Sequence, residues 1–329
     1  MHGRGIALNG VRPMPIARRA LLASGLAAPF VLRPRRSHAA TTVRMGTLKL
    51  IHAITPYFYQ RFMPEGLAVE VIPFESPTDG KDAVLSGSVD FGTFGIAAAI
   101  LGGAARQPIV VIASECNKGM AIVSGKDSGL GSVASLRGKR VAIWPGSTQE
   151  VFMLERLHME GMSIHDITPV RVSFSEMHAA LARGDVDAYV GAEPGPGLSL
   201  ATGVGRIVEY PYSTPMGSLN MVIGASRDTL DRRPELAQAI VTLQRQASGY
   251  AMANPEAMVA MTVSKLGQSK AAVEISAPNV ELNWQMTPLM VEEAKTYAER
   301  MLALKQIRAL PDFATFFDQR FSDQAARAA

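Results

Sequence analysis

Hydrophobic spacing switches repeatedly along residues 41–226. Short runs rich in Val, Ile and Phe alternate with stretches whose apolar positions recur every three to four residues. The first kind predicts strands at Thr42–Leu50, Leu67–Phe74, Val89–Phe94 and Pro108–Ser114. The second predicts helices at Ala53–Met63, Asp79–Ser86 and Ile96–Arg106. The pattern then restarts. Strands are expected at Ala121–Val123, Val141–Trp144, Thr168–Phe174, Val186–Val190 and Leu219–Ala225, with helices at Ser147–Met159 and Ser175–Ala182. Strands alternating with helices point to α/β architecture with a mainly parallel sheet.

One internal echo relates the two halves. Ala83-Val84-Leu85-Ser86-Gly87-Ser88-Val89-Asp90 aligns with Ala180-Leu181-Ala182-Arg183-Gly184-Asp185-Val186-Asp187, 97 residues later. Both read as a helix end, a glycine stop and a Val-Asp strand opening. From Asp228 onward the strand signal ends. Pro234–Ala253, Pro255–Lys265 and Pro288–Leu304 read as helices opened by proline, followed by a short one at Phe313–Phe321. This helical third is expected to pack back onto the first lobe.

The charge changes the picture at the amino end. Residues 1–40 carry seven arginines and no Lys, Asp or Glu. Removing those seven from 33 basic residues leaves 26 against 29 acidic ones, so the body is slightly acidic. No basic excess remains to bind a phosphate backbone, which excludes nucleic acid as partner. Arg18-Arg19 precede an apolar run, Ala20–Leu32, shorter than the roughly 20 residues a membrane span needs. Ser37-His38-Ala39-Ala40 offers small residues for cleavage. Residues 1–40 therefore read as an export signal of twin-arginine type, cleaved near Ala39-Ala40, with the periplasm as destination.

Catalytic signatures are missing. His52, His158, His165 and His178 lack the i, i+4 spacing of a helical metal site, so no metal is expected. There is no G-x-S-x-G elbow and no phosphate loop. Gly129–Ala134 matches G-x-G-x-x-A but is separated from its strand by Gly125–Ser128, and reads as a loop. Cys116 stands alone, which excludes an internal disulfide, and reads as a buried core residue. No cofactor and no catalytic residue are assigned.

What remains is a set of strand-end loops suited to an anion. Gly146, Ser147 and Thr148 open a helix where free N–H groups and two hydroxyls converge. The alternative is that Ser147 merely caps that helix. Thr78 and Asp79, then Thr93, Phe94 and Gly95, occupy comparable positions in the first half. His52 follows the first strand, as ligand contact or solvated loop residue. Glu193 ends a strand and reads as either a ligand contact or a helix cap. Ligands of open α/β sheets bind beyond the carboxyl ends of strands. Phe94, Trp144 and Met216 are candidates for an apolar wall, which favours an organic anion over nitrate. Lys49 reads as solvated.

Three segments carry a family resemblance: DAVLSGSVDFGTFG (82–95), LRGKRVAIWPGSTQEVFMLERLHMEG (136–161) and AALARGDVDAYVGAEP (179–194). Together they resemble the substrate-binding proteins of ABC importers, in the branch for nitrate, taurine, aliphatic sulfonates and thiamine-precursor pyrimidines. The resemblance implies a type II periplasmic binding protein fold, with two lobes of mainly parallel sheet flanked by helices and a two-strand hinge. Lobe 1 is then 41–118 with 226–329, and lobe 2 is 119–225. The hinge is expected near Glu115, Asn117 and Ala225. The ligand sites carried over are Gly146–Thr148, Thr78-Asp79, Thr93–Gly95 and Glu193. Gly195-Pro196-Gly197 departs from the family pattern and is expected to widen the pocket. The implied role is capture of a small organic anion by a monomer that closes on it and hands it to a membrane permease with its ATPase. Two rival roles are a sensing adaptor and a pyrimidine-precursor biosynthetic enzyme, the latter requiring His52 in the cleft.

Overall fold

The computed structural model describes residues 40–328. The export signal read from residues 1–40 falls almost entirely outside them. In chain order the strands and helices begin with β1 (Thr41–Leu48), β2 (Leu67–Phe74), α1 (Pro77–Ser86), β3 (Phe91–Gly95), α2 (Ile96–Ala104) and β4 (Ile109–Lys118). Next come β5 (Met120–Gly125), β6 (Arg140–Ile143), α3 (Thr148–Met159), β7 (Thr168–Arg171), α4 (Phe174–Arg183), β8 (Ala188–Ala192), α5 (Gly195–Ala201) and β9 (Gly205–Glu209). The last group is β10 (Leu219–Ser226), α6 (Arg227–Arg232), α7 (Pro234–Ala253), α8 (Pro255–Leu266), α9 (Lys270–Ser276), β11 (Val280–Leu282), α10 (Pro288–Ala303), α11 (Phe313–Phe316) and α12 (Arg320–Arg327).

The strands form two sheets, of order β11-β4-β10-β3-β1-β2 and β7-β6-β8-β5-β9. Each is mixed. β1 runs parallel to β2 and β3, and β6 runs parallel to β7 and β8. β10 is antiparallel to β3 and β4, β11 to β4, and β5 to β8 and β9. The parallel half of each sheet holds the βαβ units legible in the sequence. The antiparallel half comes from strands that cross between the lobes or return late.

The echo between residues 83–90 and 180–187 is a true structural repeat. Gly87 and Gly184 both stop their helices at φ +74°, a conformation glycine adopts without a Cβ clash. Behind each glycine an aspartate grips an arginine of the parallel strand. The Asp90 carboxylate accepts from the Arg44 backbone N–H (2.8 Å) and from its guanidinium (3.2 and 3.3 Å). Asp187 does the same to Arg140 at 2.8, 2.8 and 3.3 Å. Met45 lies opposite Phe91 and Val141 opposite Ala188, so the registers also correspond.

Several expectations change. Ala53–Met63 is not an α-helix but two 3-10 segments, Ile51–Ala53 and Thr55–Phe62. Phe313–Phe321 divides into α11 and the start of α12. A strand, β11, does form after Asp228, as a short edge on β4. β10 belongs to the six-stranded sheet, where Ala225 pairs with Phe91 and Val110. The chain therefore returns between the sheets over residues 210–218, and Ala225 sits at the far end of the strand from that crossing. The outward crossing is at Lys118-Gly119, just beyond Asn117, which still pairs within the first sheet, and Glu115, which is skipped where the β4–β10 register shifts. Part of the helical third also leaves the first lobe, because α9 packs on α5. A Cβ on Gly197 of α5 would lie 2.1 Å from Ser276 Oγ.

Asp90 is 5% exposed and also binds Arg233, whereas the Asp187 side chain is 31% exposed. Asp90→Ala is therefore expected to cost about 1–3 kcal/mol by removing the buried acceptor that the Arg44 N–H and two guanidinium groups share. Asp187→Ala is expected to cost less than about 1 kcal/mol. Urea unfolding midpoints of the two variants test this ordering, and equal losses would contradict it.

Candidate functional site

The helix start singled out in the sequence is already satisfied by the chain itself. The Gly146 N–H donates to Glu150 Oε2 at 2.7 Å, and the Glu150 N–H donates to Ser147 Oγ at 3.1 Å. This is a reciprocal cap in which the chain's own carboxylate occupies the anion position. Burial raises the Glu150 carboxyl above its ordinary range, against the bonds from Gly146 and Gln306. Thr148 Oγ1 donates to the Asn220 carbonyl, and Tyr297 donates to the Thr148 carbonyl. α3 thus docks onto the first lobe. Phe152 packs edge-on against Tyr297 at 5.7 Å, and Arg300 of α10 pairs with buried Glu155 at 2.8 Å. A Cβ on Gly95 would stand 2.6 Å from Thr148 Oγ1, so the lobes touch here through a glycine.

The other predicted residues are similarly engaged. Ser76 caps α1 by accepting from the Asp79 N–H, while the Asp79 side chain is exposed. The Thr78 methyl lies against Gly146. Thr93 donates to Thr47, which donates to the Ala53 carbonyl, all buried. Phe94 and Met216 are fully buried core residues, and Trp144 stacks under the Arg171 guanidinium at 4.9 Å. Glu193 is buried and fully bonded. It accepts from the Gly197 N–H (3.0 Å), Ser276 Oγ (2.7 Å) and Asn279 Nδ2 (3.0 Å). It caps α5 and fastens α9 to the second lobe. Both Glu193 oxygens are thus engaged within the protein, and the side chain is buried away from the cavity described below.

His52 and Glu115 lie at the crossing between the lobes. His52 is fully buried, and neither ring nitrogen has a hydrogen-bond partner. Its ring packs on Gly119, where a Cβ would stand 2.9 Å from Nδ1. Burial lowers its pKa to about 3. Glu115 is also fully buried, bonded to Thr55 through one oxygen and unpartnered at the other. Burial raises its carboxyl to about 8, against the bond from Thr55.

The strand ends of both sheets enclose a different place, a cavity of about 300 Å³. The first lobe contributes Lys49, Leu50 and Glu75, the second contributes Ser173, Phe174, Ser175, His178, Ala192, Pro194, Gly195 and Leu198, and Leu266 and Gln268 complete it. None of the ten predicted ligand residues lines it, although Glu193 sits between two that do. Here α4 begins, and Ser173 makes no capping bond to it. Its hydroxyl instead meets that of Ser175 at 3.1 Å. The Phe174 and Ser175 N–H groups, on residues that line the cavity, are therefore left without a side-chain acceptor. Lys49 pairs with Glu75 at the rim, both about half exposed. Ser173-Phe174-Ser175 repeats the hydroxyl-flanked helix start of Ser147-Thr148, and that was the available signal in the sequence. A larger groove of about 880 Å³ lies between α8 and α9. Its walls are mostly apolar, and no strand-end loop reaches it. Among the described residues no cluster of three or more His, Cys, Asp or Glu side chains could hold a metal. No described helix is long and apolar enough to cross a membrane.

Two expectations follow. Gly95→Ala forces a methyl against Thr148 and is expected to cost about 1–3 kcal/mol, read by thermal unfolding. Glu115 holds its proton up to pH about 8 when folded but ordinarily only to about 4.5. Folding therefore takes up a proton between those values, and this group's contribution to stability falls as pH rises through that window. His52 acts in the opposite sense, costing stability as pH falls from 6.5 toward 3. Glu115→Gln is expected to remove the decline above pH 4.5 in a series of urea titrations. A decline unchanged in the variant would contradict the assignment.

Comparison with known proteins places this geometry. The aliphatic sulfonates-binding protein of Escherichia coli K12 is 23% identical over 224 residues, covering 68% of this chain and 69% of its own. The alkanesulfonate-binding protein SsuA of Xanthomonas axonopodis, solved with MOPS, superposes with a TM-score of 0.74 at 22% identity, over 84% of this chain and 98% of its own. The periplasmic nitrate-binding protein NrtA of Synechocystis superposes with a TM-score of 0.74 at 18% identity, over 88% and 89%. These matches establish the two-lobed periplasmic binding protein fold. A model of the family described as NMT1/THI5 like matches residues 57–258, more than half the sequence. The chain belongs to the NMT1/THI5-like family.

Proposed function

We propose that this protein captures a small organic anion in the cavity between its lobes and delivers it to a membrane permease of an ABC import system. The observation that carries this reading is the convergence at one cavity of the uncapped start of α4, the Ser173 and Ser175 hydroxyls and the half-exposed Lys49 ammonium, which an entering anion would share with its rim partner Glu75. Helix N–H groups, hydroxyls and a lysine together form an anion-binding set. The apolar side of the same cavity, Leu50, Phe174, Leu198 and Leu266, suits a short carbon chain better than bare nitrate. A volume of about 300 Å³ lies at the small end of ligand sites. The sulfonate-binding relatives support the ligand class, and the leader supports export to the periplasm. His52, on which the biosynthetic reading depended, is buried against Gly119 and does not line the cavity.

A thermal-shift screen with alkanesulfonates, taurine, nitrate and small carboxylates tests the reading. A ligand at a hundred times its Kd stabilises by about 2.7 kcal/mol, a shift of several degrees. Lys49→Ala is expected to weaken the responding anion about tenfold or more, as loss of one charge-assisted bond predicts. A folded protein that responds to none of these anions would overturn the proposal.

A further inference from the structure

Behind the cavity wall, three side chains form a directed chain of hydrogen bonds. Tyr189 Oη lies 2.7 Å from Ser199 Oγ, and Ser199 Oγ lies 3.0 Å from His178 Nδ1. Tyr189 and Ser199 are fully buried, whereas His178 is half-buried and lines the cavity. The direction of the chain follows from its closed end. The phenol proton of Tyr189 has Ser199 as its one side-chain partner among the described residues. If it points elsewhere, a buried donor is stranded. Tyr189 therefore donates to Ser199, and the serine hydroxyl, having accepted, donates onward to His178 Nδ1. A nitrogen that accepts carries no proton in the neutral ring, so the proton sits on Nε2. Nδ1 faces the buried interior, which leaves Nε2 as the cavity-facing nitrogen.

We infer that the Tyr189–Ser199 relay fixes His178 as its Nε2–H tautomer, so that His178 is a hydrogen-bond donor selecting ligands with an anionic oxygen at that wall. This deepens the capture reading above and rests on it for the ligand, while the tautomer stands on the protein alone. Burial lowers the His178 pKa below its ordinary value, which keeps the ring neutral at pH 7.5 with one defined donor. A ligand amine presented to Nε2–H finds no acceptor there. The wall thus discriminates by hydrogen-bond polarity as well as by charge.

Nitrogen-15 spectra of histidine-labelled protein at pH 7.5, with His178→Gln to identify the signal, read the tautomer directly. The expected result is a neutral ring protonated at Nε2. Ser199→Ala is expected to yield a mixture of tautomers and to weaken ethanesulfonate binding about tenfold. Tyr189→Phe, which leaves the serine donor in place, is expected to have a smaller effect on both. A wild-type ring protonated at Nδ1, or a Ser199→Ala protein that keeps both the wild-type tautomer and the wild-type Kd, would overturn the inference. A correct tautomer in a protein that binds no anion would instead count against the capture reading.

Discussion

The β2–α1–β3 and β7–α4–β8 units are each held by an aspartate just beyond a glycine-stopped helix, clamped to an arginine on the neighbouring parallel strand. The clamp sits where the helix ends and the next strand begins. In a βαβ crossover the helix runs back against the strands, so fixing its carboxyl end also sets where its amino end falls. Asp90 with Arg44 does this for α1, and Asp187 with Arg140 does it for α4. The start of α4 consequently faces the opening between the lobes, and the cavity follows from that placement.

The helix starts of this protein differ in what they are given to bind. At α3 the third residue of the helix supplies a carboxylate that folds back onto Gly146, and the first lobe covers the rest. At α4 the equivalent cap is missing because the two serine hydroxyls turn to each other. Glu176 holds the same third position in α4 but is exposed and makes no capping bond, so only the start whose carboxylate folds back, that of α3, is a structural joint. One without a cap, beside a lysine and opposite an apolar wall, remains open to an external anion.

The crossing between the lobes is similarly specific. Gly119 takes φ +78°, its N–H donates to Asn279 and its carbonyl accepts from Glu193. His52 closes over its Cα. One backbone position therefore joins the first lobe, the second lobe and the strap formed by α9. Because α9 is tied to Glu193 while β11 pairs with β4, a third segment of chain spans the lobes beside the two crossing strands. Two buried titratable groups lie beside it, His52 with neither ring nitrogen bonded and Glu115 with one oxygen bonded to Thr55 and the other unpartnered. Both are kept neutral by burial alone.

Hydrophobic spacing, glycine stops and the repeated Val-Asp determined most of the βαβ order, because those signals act within one element and its neighbours. Helix α7 was bounded correctly from its opening proline and the Asn254-Pro255 break. The sequence also determined the fold family, through three segments whose spacing survives at low identity. It did not determine that Thr55–Phe62 winds as 3-10 turns against α7, nor that β10 joins the first sheet. Pairing across more than a hundred residues leaves no local mark. The candidate site divides the same way. The hydroxyl-flanked helix start at Ser147 is legible in the sequence, whereas Ser173 reads there as part of a strand that in fact ends at Arg171, so that α4 starts at Phe174. Which one is sealed by a carboxylate and a neighbouring lobe, and which faces a cavity with Lys49 and His178, depends on side chains brought together from distant elements. That choice belongs to the tertiary structure, because packing decides which polar groups are enclosed among their own partners and which stay within reach of a ligand.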